Sequence, residues 1–238
     1  MIETGTLLDI IRLVVGIIIL SYASYTDIKT RQASNMLWLI MGSIGGILLI
    51  AQFFTINFED TRFLIFIPIM IGVFYVLFQL RLIFGGADAK ALMALSILAP
   101  LQPSINGFPI YGALPFFMWS IFSNSVLLFL LIPLSLLVFN IFKRNLEFPY
   151  CFLGYKMSVR KARETFVWPL EKIKDGKRKF MYMPKDFDVD KELEEFEKMD
   201  IKRIWVTPKI PFMIPLLAGF IISFILGDIL FRLMSFIL

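Results

Sequence analysis

The sequence predicts an all-α membrane protein with six transmembrane helices and a cytoplasmic insert of mixed structure between helices five and six. Of the 238 residues, 58% are hydrophobic, 26 are Phe, and the mean hydropathy is +0.77. Globular domains are only about 45–50% apolar. Of the 43 charged residues (24 basic and 19 acidic), 29 lie between positions 143 and 209. The remaining chain is almost uncharged, which is typical of membrane-embedded segments.

A helix needs about 20 mostly apolar residues to cross the hydrocarbon core of a membrane. The chain has six candidates, of which the fourth is short at 13 residues and the fifth contains Pro133: residues 7–25, 35–55, 62–84, 89–101, 114–142 and 211–236. The first is predicted to be a retained helix, because it is preceded by Glu3 and contains Asp9, whereas a signal peptide opens with a basic segment.

The distribution of basic residues predicts the orientation of these helices. Six spans place both termini on the same side of the membrane. If that side is the outside, the cytoplasmic segments contain 21 of the 24 Lys and Arg residues, as the positive-inside rule requires. We therefore expect a multi-pass protein of the cell membrane whose N-terminus and C-terminus both lie outside.

The same pattern predicts three parts along the chain. They are a membrane domain with helices one to five, a cytoplasmic insert, and the sixth transmembrane helix, over residues 1–142, 143–209 and 210–238.

The charges of the insert are segregated. Residues 156–179 have a net charge of +6 and residues 186–200 a net charge of −6. Residues 191–199 are predicted to form an amphipathic helix with one apolar face, made of Leu193, Phe196 and Met199. Two interpretations are open: a solvated surface, or a basic half that lies on anionic lipid headgroups and an acidic half that attracts a basic substrate.

Two absences limit the chemistry. The chain contains no His and a single Cys, Cys151. This composition excludes Ser–His and Cys–His nucleophile pairs, His-ligated metals, an internal disulfide, a thiolate zinc site and an iron–sulfur cluster. An enzyme of this composition would use carboxylates, Lys or Tyr for acid–base chemistry. We expect no metal, no cofactor and no nucleic-acid partner.

Two carboxylates lie at span ends, where a charge close to hydrocarbon is costly. Asp27 follows the first span and Asp88 lies between the third and fourth, so the span count places both at the cytoplasmic face. Each has a structural explanation, since Asp27 would end a helix and Asp88 would cap one. Gly85 and Gly86 favour a functional role for Asp88, because glycines permit a sharp turn and a close approach. Asp228, near the outer end of span six, is interpreted as an interfacial or bundle-facing residue.

Two acids at one depth suit the division of labour in an aspartic protease. The ionised carboxylate takes a proton from water, and the protonated one donates to the carbonyl oxygen of the scissile amide. Two close carboxylates share one proton, because both cannot ionise together. Peptide hydrolysis of this type needs neither His, Cys nor a metal.

The segment Gly85-Gly86-Ala87-Asp88 resembles the Gly-x-Gly-Asp motif of membrane aspartyl proteases, with Ala87 in place of the second glycine. More narrowly, the chain is similar to archaeal preflagellin peptidases, which are relatives of the bacterial type IV prepilin peptidases. The similarity covers nearly the whole chain. Besides the motif it includes residues 26–31 after the first span, 152–157 in the insert and 204–211 before the last span.

This resemblance implies that Asp27 and Asp88 are the two catalytic aspartates, supported by the motif residues Gly85, Gly86 and Ala87. The implied substrates are precursors of archaeal flagellins (archaellins) or pilin-like proteins, which carry a short basic leader before a hydrophobic helix. Cleavage would follow a Gly at the end of the leader, at the cytoplasmic face. The implied partners are the precursor protein and the lipid bilayer. The cysteine-rich zinc domain and the methyltransferase activity of bacterial relatives are not expected in a chain with one Cys.

Three other functions remain open. An ion- or proton-coupled transporter would use span-end carboxylates as a relay, although its site would lie near the membrane midplane and often between inverted repeats. A related intramembrane protease would cut within a membrane helix of its substrate. A non-enzymatic assembly scaffold would leave the glycine-flanked Asp88 unexplained.

Overall fold

A computed structural model describes residues 4–55, 64–83, 85–111, 116–174, 176–181, 188–208 and 211–237. The chain is mostly helical, at 68%, with a small sheet region towards the C-terminus. It divides into two compact units. The helical unit comprises residues 1–129 and 211–238, and the insert unit comprises residues 130–210.

The helices and strands follow one another along the chain in two groups. The apolar helices are α1 (Thr4–Thr30), α2 (Asn35–Thr55), α3 (Phe66–Gln79), α4 (Gly86–Leu98), α5 (Phe117–Phe142), α9 (Met213–Leu226) and α10 (Ile229–Ile237). Between α5 and α9 the chain forms α6 (Tyr150–Leu153), β1 (Tyr155–Ser158), α7 (Val159–Arg163), β2 (Val167–Pro169), β3 (Glu171–Lys174), β4 (Lys177–Phe180), α8 (Val189–Lys198) and β5 (Arg203–Pro208).

Among the described residues, three helices are long and apolar enough to cross a membrane, namely α1, α2 and α5. The pair α9 and α10 also qualifies if its two members form one bent span. Helix α3 is apolar but has 14 residues, and α4 has 13. Residues 62, 63 and 84 of the predicted third span, and residues 114 and 115 of the predicted fifth, lie outside the described residues.

The sixth span, predicted as a transmembrane helix over residues 211–236, is broken into two helices in the structure. Helices α9 and α10 meet at an angle of 59°. Gly227 ends α9 with φ +89°, in the left-handed region that glycine readily adopts. Asp228, only 2% exposed, caps α10 by accepting a hydrogen bond from the Phe231 amide at 2.9 Å. Asn124 of α5 donates to the Gly227 carbonyl at 2.8 Å. Asp228 is therefore a bundle-facing structural residue, as interpreted from the sequence.

Helix α4 lies at the centre of the helical unit. Seven of its residues are buried, including Leu92, Leu95 and Leu98. It packs most extensively against α2 and α3, and it also contacts α1. Gly45 of α2 permits the close approach, because a Cβ atom there would lie 2.6 Å from the Leu98 Cα. This close approach lies at the last residue of α4, the end away from Asp88.

A buried ion pair joins three segments of the helical unit. Arg12 donates to Asp9 at 2.7 Å and to the Gln52 side chain of α2 at 2.6 Å. Asp9 also accepts from the main-chain amide of Ser104 at 2.9 Å. These bonds satisfy charges that would otherwise be costly to bury, and they connect α1 to α2 and to the segment after α4.

The insert unit contains a three-stranded antiparallel sheet in the order β1-β5-β2, and a separate β3–β4 hairpin. Met157 of β1 pairs with Ile204 of β5, so two segments that carry the family resemblance are neighbours in the fold. Helix α8 confirms the predicted amphipathic helix, with Leu193 and Phe196 fully buried. Met199, expected on the same face, follows the last helical residue and is exposed.

Glu147 connects the segment after α5 to the sheet of the insert unit. It accepts hydrogen bonds from the Lys156 ammonium and, at 3.0 Å, from the Trp205 indole. The Trp205 ring stacks on Tyr150, with the ring centroids 5.4 Å apart. The hydrogen bonds from Lys156 and Trp205 lower the pKa of Glu147 below its ordinary value. The folded state therefore favours the ionised carboxylate.

We expect Glu147→Gln to lower the free energy of unfolding of the insert unit near neutral pH by less than about 1 kcal/mol, because the Glu147 side chain is 53% exposed and water screens its interactions. A group whose pKa is lowered in the folded state stabilises the fold at pH values above the ordinary pKa of Glu. This contribution is lost as the pH falls through the lowered pKa. The difference between wild type and variant should therefore shrink in acid. Thermal unfolding followed by tryptophan fluorescence over a pH series measures this. Glu164→Gln, at an exposed position of the same unit, is the control; an equal effect there would contradict the assignment.

Candidate functional site

Asp27 lies in the last turn of α1 and is half-buried. The helix ends after Thr30, where Arg31 adopts a left-handed conformation with φ +57° and its amide bonds to the Asp27 carbonyl at 3.0 Å. Arg31 also lies within electrostatic range of the Asp27 carboxylate. Lys29, the other basic neighbour considered from the sequence, contacts Tyr25. Asp27 therefore lies where α1 stops, with one cation nearby.

Asp88 is the third residue of α4 and is half-buried. The N-cap position is occupied by Gly85, with φ −87° and ψ 119°, and Gly85 makes no side-chain capping bond. Asp88 thus lies in the first turn, where the helix dipole favours a negative charge, but it does not occupy the N-cap position that the sequence suggested. The first backbone bond of the turn runs from the Ala89 amide to the Gly85 carbonyl at 3.1 Å.

Gly85 provides the space that the Asp88 carboxyl group occupies. A Cβ atom at Gly85 would overlap Asp88 Oδ2 and would lie 2.7 Å from Asp88 Cγ. At Gly86 a Cβ atom would lie 3.8 Å from the Phe78 ring, which is an ordinary contact. The backbone at Gly85 is extended and open to any residue. Glycine at position 85 therefore leaves room for the Asp88 carboxyl group where the structure places it, and the extended backbone there is not the sharp turn expected from the sequence.

Ala87 replaces the second glycine of the motif without backbone strain. It lies inside α4, where the backbone is right-handed, and alanine is the residue most favourable to a helix. The motif segment therefore forms an extended residue followed at once by a helix. A substitution from glycine to alanine at position 87 is compatible with this backbone.

The structure places Asp27 and Asp88 close enough for their charges to interact. They belong to different helices, α1 and α4, that contact each other within the helical unit. Among the residues that the structure describes, neither carboxylate takes part in a hydrogen bond or an ion pair. The same part of the chain contains no group of three or more Cys, Asp or Glu side chains that could hold a metal ion. The arrangement is thus two neighbouring, partly accessible carboxylates.

One residue of this region was not found from the sequence. Asn35, the first residue of α2, accepts a hydrogen bond from the Lys90 ammonium at 2.8 Å. This bond connects the start of α2 to the first turn of α4, two residues after Asp88. Lys90 was considered as a neighbour of the Asp88 charge, but its ammonium bonds to Asn35 in the structure.

Comparison with known proteins finds two matching family models and several similar proteins that carry the same name. The type IV leader peptidase family matches residues 14–141, and the type II archaeal peptidase A24 C-terminus matches residues 146–229. A preflagellin peptidase of Methanococcus voltae is 28% identical, covering 90% of this chain and 94% of its own. That of Methanocaldococcus jannaschii is 26% identical, and the match covers 92% of this chain and 94% of the relative. That of Methanococcus maripaludis is 27% identical, and the match covers 96% of this chain and 99% of the relative.

A double-mutant cycle tests the geometry of Gly85. We expect Gly85→Ala to lower the unfolding temperature in the wild-type background, because the new methyl group must displace the Asp88 carboxyl group. The loss should largely disappear in an Asp88→Ala background, with a coupling energy of about 0.5–3 kcal/mol. Gly86→Ala is the matched control and should be neutral or slightly stabilising in both backgrounds. A Gly85→Ala loss that is the same with and without Asp88 would contradict the assignment.

Proposed function

Because the chain belongs to the type IV leader peptidase family, we propose that it is a membrane aspartic endopeptidase that removes the short basic leader from preflagellin or pilin-like precursors. Membership of the family makes it a peptidase and so a hydrolase. The three relatives that are named preflagellin peptidases match it over at least 90% of its length, which supports a preflagellin substrate. The aspartic mechanism is supported by one observation, the neighbouring carboxylates of Asp27 and Asp88.

The proposed reaction uses the two aspartates as a pair that shares one proton. The ionised carboxylate takes a proton from water, and the water oxygen attacks the carbonyl carbon at the end of the leader. The protonated carboxyl group donates to the carbonyl oxygen. Collapse of the tetrahedral intermediate breaks the C–N bond, and the leaving amine takes up a proton from the pair. Two carboxylates held close favour this singly protonated state, because the second ionisation is opposed by the first.

We propose that the site faces the cytoplasm in a six-span protein with both termini outside. The membrane domain would comprise residues 1–142, the insert residues 143–209 and the last span residues 210–238. The ends of the helices support this orientation. Arg31, Arg81 and Arg144 follow α1, α3 and α5, each in the left-handed conformation, with φ of 56° to 58°. Glycine or asparagine is usual at such positions, so arginine there is consistent with selection for positive charge at the cytoplasmic ends.

Neutralising either aspartate should abolish cleavage. We expect Asp27→Asn and Asp88→Asn each to lower the cleavage rate by about 10²- to 10⁴-fold, the usual contribution of an acid–base group, while membrane insertion is retained. A gel-shift assay with purified protein in detergent and a preflagellin carrying its leader measures this. Asp200→Asn is the control, since Asp200 is exposed with φ +52°, a conformation that asparagine tolerates. Cleavage at the wild-type rate by either Asp27→Asn or Asp88→Asn would refute the mechanism.

The orientation has a separate test in intact cells. The one native thiol, Cys151, is buried, so wild type gives the background labelling. We expect Ile110→Cys, at an exposed position in the segment between α4 and α5, which the proposed topology places outside, to react with a membrane-impermeant maleimide in intact cells. Lys161→Cys, exposed on the insert unit, should react only after the cells are permeabilised. The reverse pattern would invert the proposed topology.

A further inference from the structure

The β3–β4 hairpin of the insert unit has two unlike faces. On one face, Glu171 is buried and accepts hydrogen bonds from the Trp205 amide at 3.1 Å and from Arg178 at 2.5 Å. The Phe180 ring on the same face contacts the Tyr150 ring, with the centroids 5.1 Å apart. This face is therefore packed against the rest of the insert unit.

The other face of the hairpin carries four lysines. The strand register pairs Lys172 with Lys179 and Lys174 with Lys177. Directly opposite residues of antiparallel strands project from the same face, so the four side chains form one lysine face. Lys174, Lys177 and Lys179 are exposed, whereas Lys172 is half-buried and lies in electrostatic range of Glu192.

Two of the four cross-strand pairs of the hairpin, the second and the fourth, bring two lysines together. Like charges directly opposite each other across two strands disfavour the pairing. An anionic surface would be attracted by the exposed lysines of this face together.

We propose that the lysine face binds the anionic phosphate headgroups of the membrane in which the chain is anchored. The insert unit begins within α5, which is long and apolar enough to cross a membrane, and ends before the apolar helix α9, so both of its ends are attached to membrane-compatible helices. A compact unit of about 80 residues has a radius of gyration of about 12 Å, so the hairpin never moves far from the bilayer. Near an anionic surface each lysine strengthens the attraction by about fivefold. This inference depends on the membrane spans and not on the peptidase assignment.

A lipid surface fits the lysine face better than a dissolved polyanion does. Headgroup phosphates form an extended array of negative charge, and the lysine face is likewise extended, with two cross-strand lysine pairs along one hairpin. Attachment through α5 and α9 also keeps the headgroups at a high effective concentration. A nucleic acid would be attracted by the same charges but would have to be recruited from solution.

Lysine footprinting of the full-length protein in nanodiscs tests the proposal. Discs of phosphatidylcholine alone are compared with discs that also contain phosphatidylglycerol, and a water-soluble amine-reactive ester is followed by mass spectrometry. Acylation of Lys174, Lys177 and Lys179 should be several-fold slower in the anionic discs, and added salt should restore it. Lys191 and Lys198 of α8 are exposed internal controls and should change little. Equal protection of all five lysines, or of none, would overturn the proposal.

Charge variants make the test specific to the lysine face. Lys174→Gln with Lys177→Gln should remove the protection of Lys179 in anionic discs. The matched pair Lys191→Gln with Lys198→Gln removes the same charge and should retain that protection. Loss of protection in both pairs would show a general surface potential and overturn the proposal. Protection by a DNA duplex in phosphatidylcholine discs, without protection by phosphatidylglycerol, would overturn it in favour of a nucleic-acid partner.

Discussion

The packing of α2 along α4 is the interaction on which the candidate site depends, from the Lys90–Asn35 hydrogen bond near the start of α4 to the close approach of Gly45 at its last residue, Leu98. At 1.5 Å per residue, a helix of 13 residues such as α4 is only about 20 Å long, so its position is set by side packing and not by its own membrane fit. Gly45 lets the two backbones approach, and the Leu residues of α4 fill the centre of the helical unit. At the other end of α4, the Lys90–Asn35 hydrogen bond connects the helix to the start of α2, two residues after Asp88.

The sequence predicted the long helices well, because α1, α2 and α5 are uninterrupted apolar stretches whose length is a local property. It did not predict the break between α9 and α10. That break depends on Asn124, which bonds to Gly227 from 103 positions away in the chain. Only the Gly227-Asp228 pair was visible as a local signal. A glycine followed by a capping residue inside an apolar stretch is typical of a helix end.

The sequence likewise predicted the residues of the candidate site but not the contacts between their atoms. Both aspartates could be chosen from the sequence, because two carboxylates at equal depth are unusual beside hydrocarbon. The glycines were assigned to a sharp turn and to the close approach of another chain, whereas at Gly85 the structure shows room taken up by the nearby Asp88 side chain. Such a role depends on the rotamer of Asp88, which no sequence pattern encodes. Whether Asp27 and Asp88 perform catalysis stays a prediction.

The first and last strands of the insert unit have a consequence for how this chain can change. Tyr155 pairs with Val206, so the beginning and end of the segment between them are held about 5 Å apart. The 50 residues between them can change in number without changing the distance between Tyr155 and Val206, because that distance is set by the strand pairing. Segments with adjacent ends can be lengthened, shortened or exchanged while the flanking elements stay where they are. The fold thereby gives this segment an entry and an exit that lie side by side on two paired strands.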